Sequence, residues 1–260
     1  KIITNQKVSG LAKVEMMKAT AEKIIEEVYS VGLRPQVAEE SRQLARNMYQ
    51  LIENQPDLFQ VLRTFHDFDP DAYTHSYSVT LFATAIIKQF EWQSRAMIET
   101  TAIACLLHDI GKIKMPKELI LKRPSLMSQA ELEVYKKHPE FAEQILSNNL
   151  MIGQNVRQII LQHHEYYNGT GFPNCLKRSK VLIISNIISL CDDFVHCMTT
   201  NQTQPPDTLK QILENPQQVQ RYNSLILENF IKVFVDPEKI TRGHPLHSNS
   251  HIVRNKGVSS

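Results

Sequence analysis

Apolar residues recur along this chain at spacings of three and four, the signature of helices that bury one face. Between residues 11 and 31, Val14, Met17, Ala21, Ile24 and Val28 share one stripe, with charged residues opposite. The same periodicity predicts helices over 36–53, 56–65, 71–91, 94–108, 155–164, 179–199 and 217–235. Ser128-Gln129-Ala130-Glu131 is a capping-box signature. The serine can accept from the first free amides while the glutamate reaches back to the cap. A helix is expected from there to about Lys137, and another over 141–148. No segment alternates convincingly with period two, so the fold class expected is all-α, a helical bundle with an N-terminal helical extension. The expected limits are an N-terminal helix and linker over 1–34, one domain over 35–238 and a polar tail over 239–260.

The breaks carry information of their own. Gly111 closes the helix that ends at His108-Asp109. Asn168-Gly169-Thr170-Gly171-Phe172-Pro173 concentrates two glycines and a proline in one short loop, and 201–207 reads as a polar break. The loop over 114–125 is placed to cover a site beside Lys112.

Composition narrows the class. Only 8 of 260 residues are glycine, against a usual share of about 7%, which disfavours turn-rich β architectures. Hydrophobic residues at 42% and charged residues at 22% exclude a disordered, fibrous or membrane-embedded chain. A net charge of +2 supplies no strong field for a nucleic acid polymer or an anionic membrane. The most apolar stretch, 181–191, is interrupted by Ser185, Asn186 and Ser189, so no membrane insertion is expected. Cys105, Cys175, Cys191 and Cys197 show no Cys-x-x-Cys spacing. Free thiols in a reducing cytoplasm are the expectation. No signal-peptide pattern opens the chain, and its first residue is Lys1 rather than methionine, so a missing upstream region is also expected.

Histidine, at 10 residues, is where composition meets chemistry. His75, His108-Asp109, His138, His163-His164 and Asp192-Asp193 come one or two per segment from separate helices. Singly, His75, His138 and Asp192 have ordinary explanations as core, junction or surface residues. His108-Asp109 and His163-His164 directly follow apolar runs, where polar groups need partners. Together the set suits iron, manganese or zinc, and the lack of paired cysteines argues against a structural zinc. A carboxylate beside a histidine can bridge two metals. Such a pair lowers the pKa of a water between them and clamps the oxygens of a phosphoester. Lys112 is placed to neutralise charge developing on phosphate.

His108-Asp109-Ile110-Gly111-Lys112, then His138-Pro139, then His163-His164-Glu165 followed by Asn168-Gly169-Thr170-Gly171-Phe172-Pro173, resembles the HD-GYP family of metal-dependent phosphohydrolases. The resemblance runs in order over 43–235 and includes Tyr73-Thr74-His75-Ser76. It implies an HD-type helical bundle, two metal ions, often iron with manganese as the other option, and a phosphodiesterase acting on cyclic di-GMP or a related cyclic dinucleotide. Carried across, His75, His108, Asp109, His138, His163, His164 and Asp192 are metal ligands. Asp109 is the bridging carboxylate. Lys112, with Asp109, belongs to the catalytic set, and Lys112, Gly169, Gly171 and Phe172 face substrate. Asp192 and Asp193 point about 100° apart on a helix. Asp192 is favoured, because Ser185, Ser189 and His196 share its face.

Departures from the family pattern define alternatives. Phe172 replaces the namesake tyrosine, Asn168 an aspartate and Tyr166 an arginine. The family's phosphate-gripping arginine and lysine fall at Asn201-Gln202-Thr203-Gln204-Pro205, where no bidentate guanidinium is available. Asp71 stands where trinuclear members carry a glutamate. The alternatives to an active phosphodiesterase are a binding or signalling module that keeps its metals, and an HD-type phosphatase acting on another phosphoester. The first helix either packs on the bundle through its apolar stripe or offers that stripe as a surface for a homodimer or an upstream signalling partner.

Overall fold

The computed structural model describes residues 7–54, 62, 72–120 and 122–234. Among them there is no strand. Helix α1 (Gly10–Val31) is capped by the Ser9 side chain, and α2 (Pro35–Asn54) follows. Then come α3 (Ala72–Lys88) and α4 (Arg95–Leu107), the latter capped by Ser94. A 3-10 turn (Ile110–Lys114) and the short α5 (Lys117–Ile120) lead to α6 (Gln129–Tyr135), α7 (His138–Leu146) and α8 (Gln154–Leu161). The chain closes with α9 (Ile183–Asn201), α10 (Pro205–Leu213), the single turn α11 (Pro216–Val219) and α12 (Ser224–Phe234). The capping box forms as its sequence predicts, with Ser128 Oγ accepting from Glu131 N and Glu131 accepting from Ser128 N.

Two expectations need correction. The break at 201–207 is shorter than its polarity suggests, because Pro205-Pro206 starts α10 rather than prolonging a loop. Proline at the first helical position loses an amide that would be unsatisfied anyway. The helix expected over 217–235 is two pieces, with Tyr222 buried and Asn223 N donating to Asn186 in the gap between them. Apart from Leu62, which is buried, the helix expected over 56–65 lies outside the described residues, as do Asp71, the tail 239–260, His66, His244, His247 and His251.

Helix α3 is the axis of the bundle. Tyr77, Val79, Leu81, Phe82, Ala83, Ala85, Ile86 and Ile87 are all fully buried. A helix apolar all round must lie in a core. Its Ser78, Thr80 and Thr84 hydroxyls survive burial by donating to carbonyls one turn back. Helices α1, α2, α4, α9 and α12 pack around it. Phe82 meets Phe194 and Phe230 edge-on at 4.9 and 6.4 Å, and each such side chain contributes about 1.5–3 kcal/mol by burial. The α1 stripe, Val14, Met17, Ala21, Ile24 and Val28, is buried in this same core. It is therefore spent within the chain and is not the dimer surface that its pattern offered.

Candidate metal centre

Three helices are each followed, within three residues, by a histidine whose ring turns back on the last turn in the same way. His108 Nδ1 lies 2.6 Å from the Cys105 carbonyl, His138 Nδ1 2.7 Å from that of Tyr135, and His163 Nδ1 2.6 Å from that of Ile160. Each carbonyl sits in the last turn of a helix, where backbone donors run short; those of Cys105 and Ile160 also receive long bonds from the His108 and His163 amides, at 3.5 and 3.3 Å. A carbonyl only accepts, so each Nδ1 carries the proton and each Nε2 presents a lone pair. The cap that ends the helix thus sets the tautomer and aims the ring. The C-termini of α4 and α8 also direct the negative ends of their dipoles at this point, which favours a cation.

The lone pairs converge from two sides. Asp109, His138, His163 and His164 place one ligand atom each within 4.8 Å of one another, and so do His75, His108 and Asp192. Asp109 joins the groups: Oδ1 is 3.4 Å from His138 Nε2 and 4.0 Å from His163 Nε2, while Oδ2 is 3.5 Å from His108 Nε2. Asp192 Oδ1 is 2.9 Å from His75 Nε2 and 3.9 Å from His108 Nε2, and Oδ2 is 3.6 Å from His164 Nδ1. Every candidate ligand expected from the sequence is therefore in one place.

The residues fit a metal. His138 Nε2 and His163 Nε2 are only 3.1 Å apart. With both protons on Nδ1, two lone pairs face each other, an arrangement that needs a cation between them. His108 Nε2 and Asp109 Oδ1 are buried without a hydrogen-bond partner, a costly condition unless a ligand satisfies them. Burial pushes the imidazoles down, His163 to about 4 and His138 and His164 well below the ordinary value, so they stay neutral and ready to donate. Burial alone would raise Asp109 and Asp192. Lys112 and nearby imidazoles outweigh it at Asp109, and His75 with His164 does so at Asp192, holding both carboxyls well below their usual range.

Above these groups opens a cavity of about 480 Å³, a size suited to a small-molecule ligand. His75, Asp109, Lys112, His164, Phe172 and Asp192 line it, and so does His196. Lys112 Nζ is 2.5 Å from Asp109 Oδ2 and 5.5 Å from the centre of the Tyr135 ring. Tyr135 itself was not singled out by sequence. It is buried, touches His138 and Phe172, and its hydroxyl is 3.4 Å from His164 Nε2. A tyrosine ending a short helix three residues before a histidine was the available signal.

The family model for the HD domain matches residues 46–223. The chain is a member of the HD-GYP branch of the HD-domain family. A cyclic di-GMP phosphodiesterase of Thermotoga maritima is 26% identical over 199 residues, 75% of this chain and 54% of that protein. The cyclic di-GMP phosphodiesterase PA4108 of Pseudomonas aeruginosa is 29% identical over 124 residues, 48% of this chain and 30% of that protein. The chain thus spans about half of the first relative and less than a third of the second. Bd1817, an HDG"Y"P protein from Bdellovibrio bacteriovorus, has the same fold, with a TM-score of 0.75 and 18% identity over 92% of this chain and 75% of that one.

In this HD-GYP chain the motif loop is held by Glu165. Its two oxygens accept from Asn174 N at 2.6 Å and Leu176 N at 2.8 Å. Phe172 N donates to the His164 carbonyl, and the Phe172 ring stacks on His164 at 4.6 Å. Gly171 passes so close that a Cβ would sit 2.3 Å from the His164 carbonyl oxygen. Gly111 is equally forced, with a Cβ 1.9 Å from the His138 carbonyl oxygen where the 3-10 turn crosses α7. Gly169 and Gly171 lie outside the cavity lining, so they shape the loop while Phe172 presents its ring to the cavity.

Asp193 turns away from the histidines. Tyr166 and Tyr222 hydroxyls donate to it, as does Arg221 Nη1 at 3.2 Å. The Arg221 guanidinium also lies 4.7 Å from the centre of the Tyr166 ring. Burial, and then the neighbouring Asp192 charge, raise the Asp193 carboxyl. Ser185 and Ser189 donate to the Ile159 and His163 carbonyls, which docks α9 with Asp192 inward.

Proposed function

We propose that this chain is a metal-dependent phosphodiesterase of cyclic dinucleotides, with cyclic di-GMP the first substrate to test. The observation that carries the reading is Asp109, whose two oxygens face different histidine groups and so suit it to bridge two divalent ions. Iron is the favoured metal and manganese the alternative, since neutral imidazoles and carboxylates serve either. His138, His163 and His164 would hold one ion with Asp109, and His75, His108 and Asp192 the other. Bound there, the pair supplies an activated water and neutralises charge on the phosphodiester.

The remaining chemistry belongs to the chain. Lys112 stands at the cavity floor beside Asp109, where its ammonium can pair with a phosphate oxygen as negative charge develops. Phe172 offers an aromatic face over His164 against which a base or ribose can rest. Four free cysteines suit a reducing, cytoplasmic setting. Among the described residues no helix is long and apolar enough to cross a membrane.

A second reading, a metal-keeping signalling module, is favoured by one observation. Asn201, in the segment where the family's gripping residues fall, is uncharged and donates to Gln211. The test is turnover of a panel of cyclic dinucleotides by iron- or manganese-loaded protein, with and without chelator. Metal-dependent release of linear dinucleotide or mononucleotide is expected. Lys112→Ala should lower turnover by about 100-fold or more at unchanged metal content. No turnover of any member of the panel overturns the phosphodiesterase reading in favour of the module.

A further inference from the structure

The cavity has a second end. Its wall runs along α9 from Asp192 through His196 to Thr199 and Thr200. His196 is one helical turn beyond Asp192, a rise of about 6 Å. Four cations line the cavity: Lys112, Lys122, Arg123 and Arg221. Three are engaged inside the protein. Lys112 is on Asp109, Lys122 is 2.7 Å from both Glu131 oxygens, and Arg221 is on Asp193 and the Tyr166 ring. The Arg123 side chain has no ion pair or hydrogen bond among the described residues, and its charge acts on His196. Its backbone is fixed on both sides, by the Lys122 pair and by the 3-10 turn Pro124–Leu126, whose Leu126 N donates to the Arg123 carbonyl.

A cyclic dinucleotide carries two phosphodiesters. When one lies over the metal ligands and Lys112, the other needs a cation farther along the cavity. We propose that Arg123 grips the phosphodiester that is not being cleaved, and so takes over from another part of the chain the role left vacant at 201–205. The inference rests on the phosphodiesterase reading. Arg123 suits the task because a guanidinium meets phosphate oxygens with two parallel donors and because, among the described residues, no carboxylate must first be displaced. A contact with the spectator phosphate is the same in ground and transition states, so its loss weakens binding and spares the chemical step.

The experiment measures equilibrium binding of cyclic di-GMP by calorimetry to the full chain loaded with manganese, in a Lys112→Ala background that suppresses turnover. It is paired with steady-state kinetics in the otherwise native protein. Arg123→Ala should raise Kd and KM about 10- to 100-fold and leave kcat within about threefold, while Arg123→Lys keeps part of the affinity. Lys210→Ala, which removes an exposed charge outside the cavity, should leave all three constants unchanged. Binding within about twofold of the parent in Arg123→Ala overturns the inference and leaves the enzyme reading standing. So does a fall confined to kcat, which would put Arg123 at the reacting phosphate. Failure of the native protein to bind or cleave any cyclic dinucleotide overturns both.

Discussion

Asp192 and Asp193 are adjacent, largely but not fully buried and on one helix, yet their surroundings move them in opposite directions. Asp192 faces His75, His108 and His164 and is held well below the ordinary carboxyl range. Asp193 faces two phenols and one guanidinium and is raised. One builds the floor of the cavity, where lone pairs are gathered for cations. The other builds a wall, where each donor is answered by an acceptor within the protein. The lesson is that burial alone does not assign a carboxylate its role. The polarity of the neighbours, set by a rotation of about 100° on the helix, does.

The largest expected effect breaks the floor. Asp192→Ala should lower metal affinity by more than about 100-fold, since even residues behind the ligands cost about 10- to 100-fold. Asp193→Ala should leave metal content within a few-fold, and elemental analysis after dialysis separates the two. Equal loss in both variants would erase the distinction.

Acid should act on the floor next. His163 takes up a proton near its ordinary 6.5 when unfolded but only at about 4 when folded. Between those values the unfolded chain binds the extra proton. The stability present above pH 6.5 is therefore lost as pH falls toward 4, by about 3 kcal/mol from this group. Asp109 and Asp192, both depressed, push the same way at lower pH, while the raised Asp193 opposes them. Denaturant titrations of metal-free protein from pH 7.5 to 4 would show the decline, and a flat profile would contradict it.

The wall gives smaller effects, read by unfolding rather than by metal. Asp193→Ala leaves the Tyr166 and Tyr222 hydroxyls and Arg221 without their acceptor, at about 2 kcal/mol. Tyr166→Phe removes one donor while Tyr222 and Arg221 remain, and should cost about 0.5–1 kcal/mol with metal content unchanged. A larger loss in Tyr166→Phe than in Asp193→Ala would show that the phenol, rather than the carboxylate, organises the wall.

Much of the floor was legible because its residues follow apolar helices in recognisable spacing. His108-Asp109 and His163-His164 each come directly after a periodic run, and the helix ends that place them are local events. The wall was not legible. Tyr166, Asp193, Tyr222 and Arg221 come from three stretches of chain with no shared spacing, and they meet only because α9 docks through Ser185 and Ser189. The α10 helix was missed because two prolines and polar neighbours mark a loop as readily as a helix start.

By itself, then, the amino-acid sequence determined the all-helical class, the histidine and aspartate set and its order, and the lack of charge at 201–205. Those rest on periodicity and on short motifs, which a linear string records. Tertiary structure alone decided that Asp109 faces both histidine groups, that the α1 stripe is spent inside the core, and that Arg123 lines the cavity. Each depends on where distant segments come to rest, and that is set by the packing of the whole bundle rather than by any local pattern.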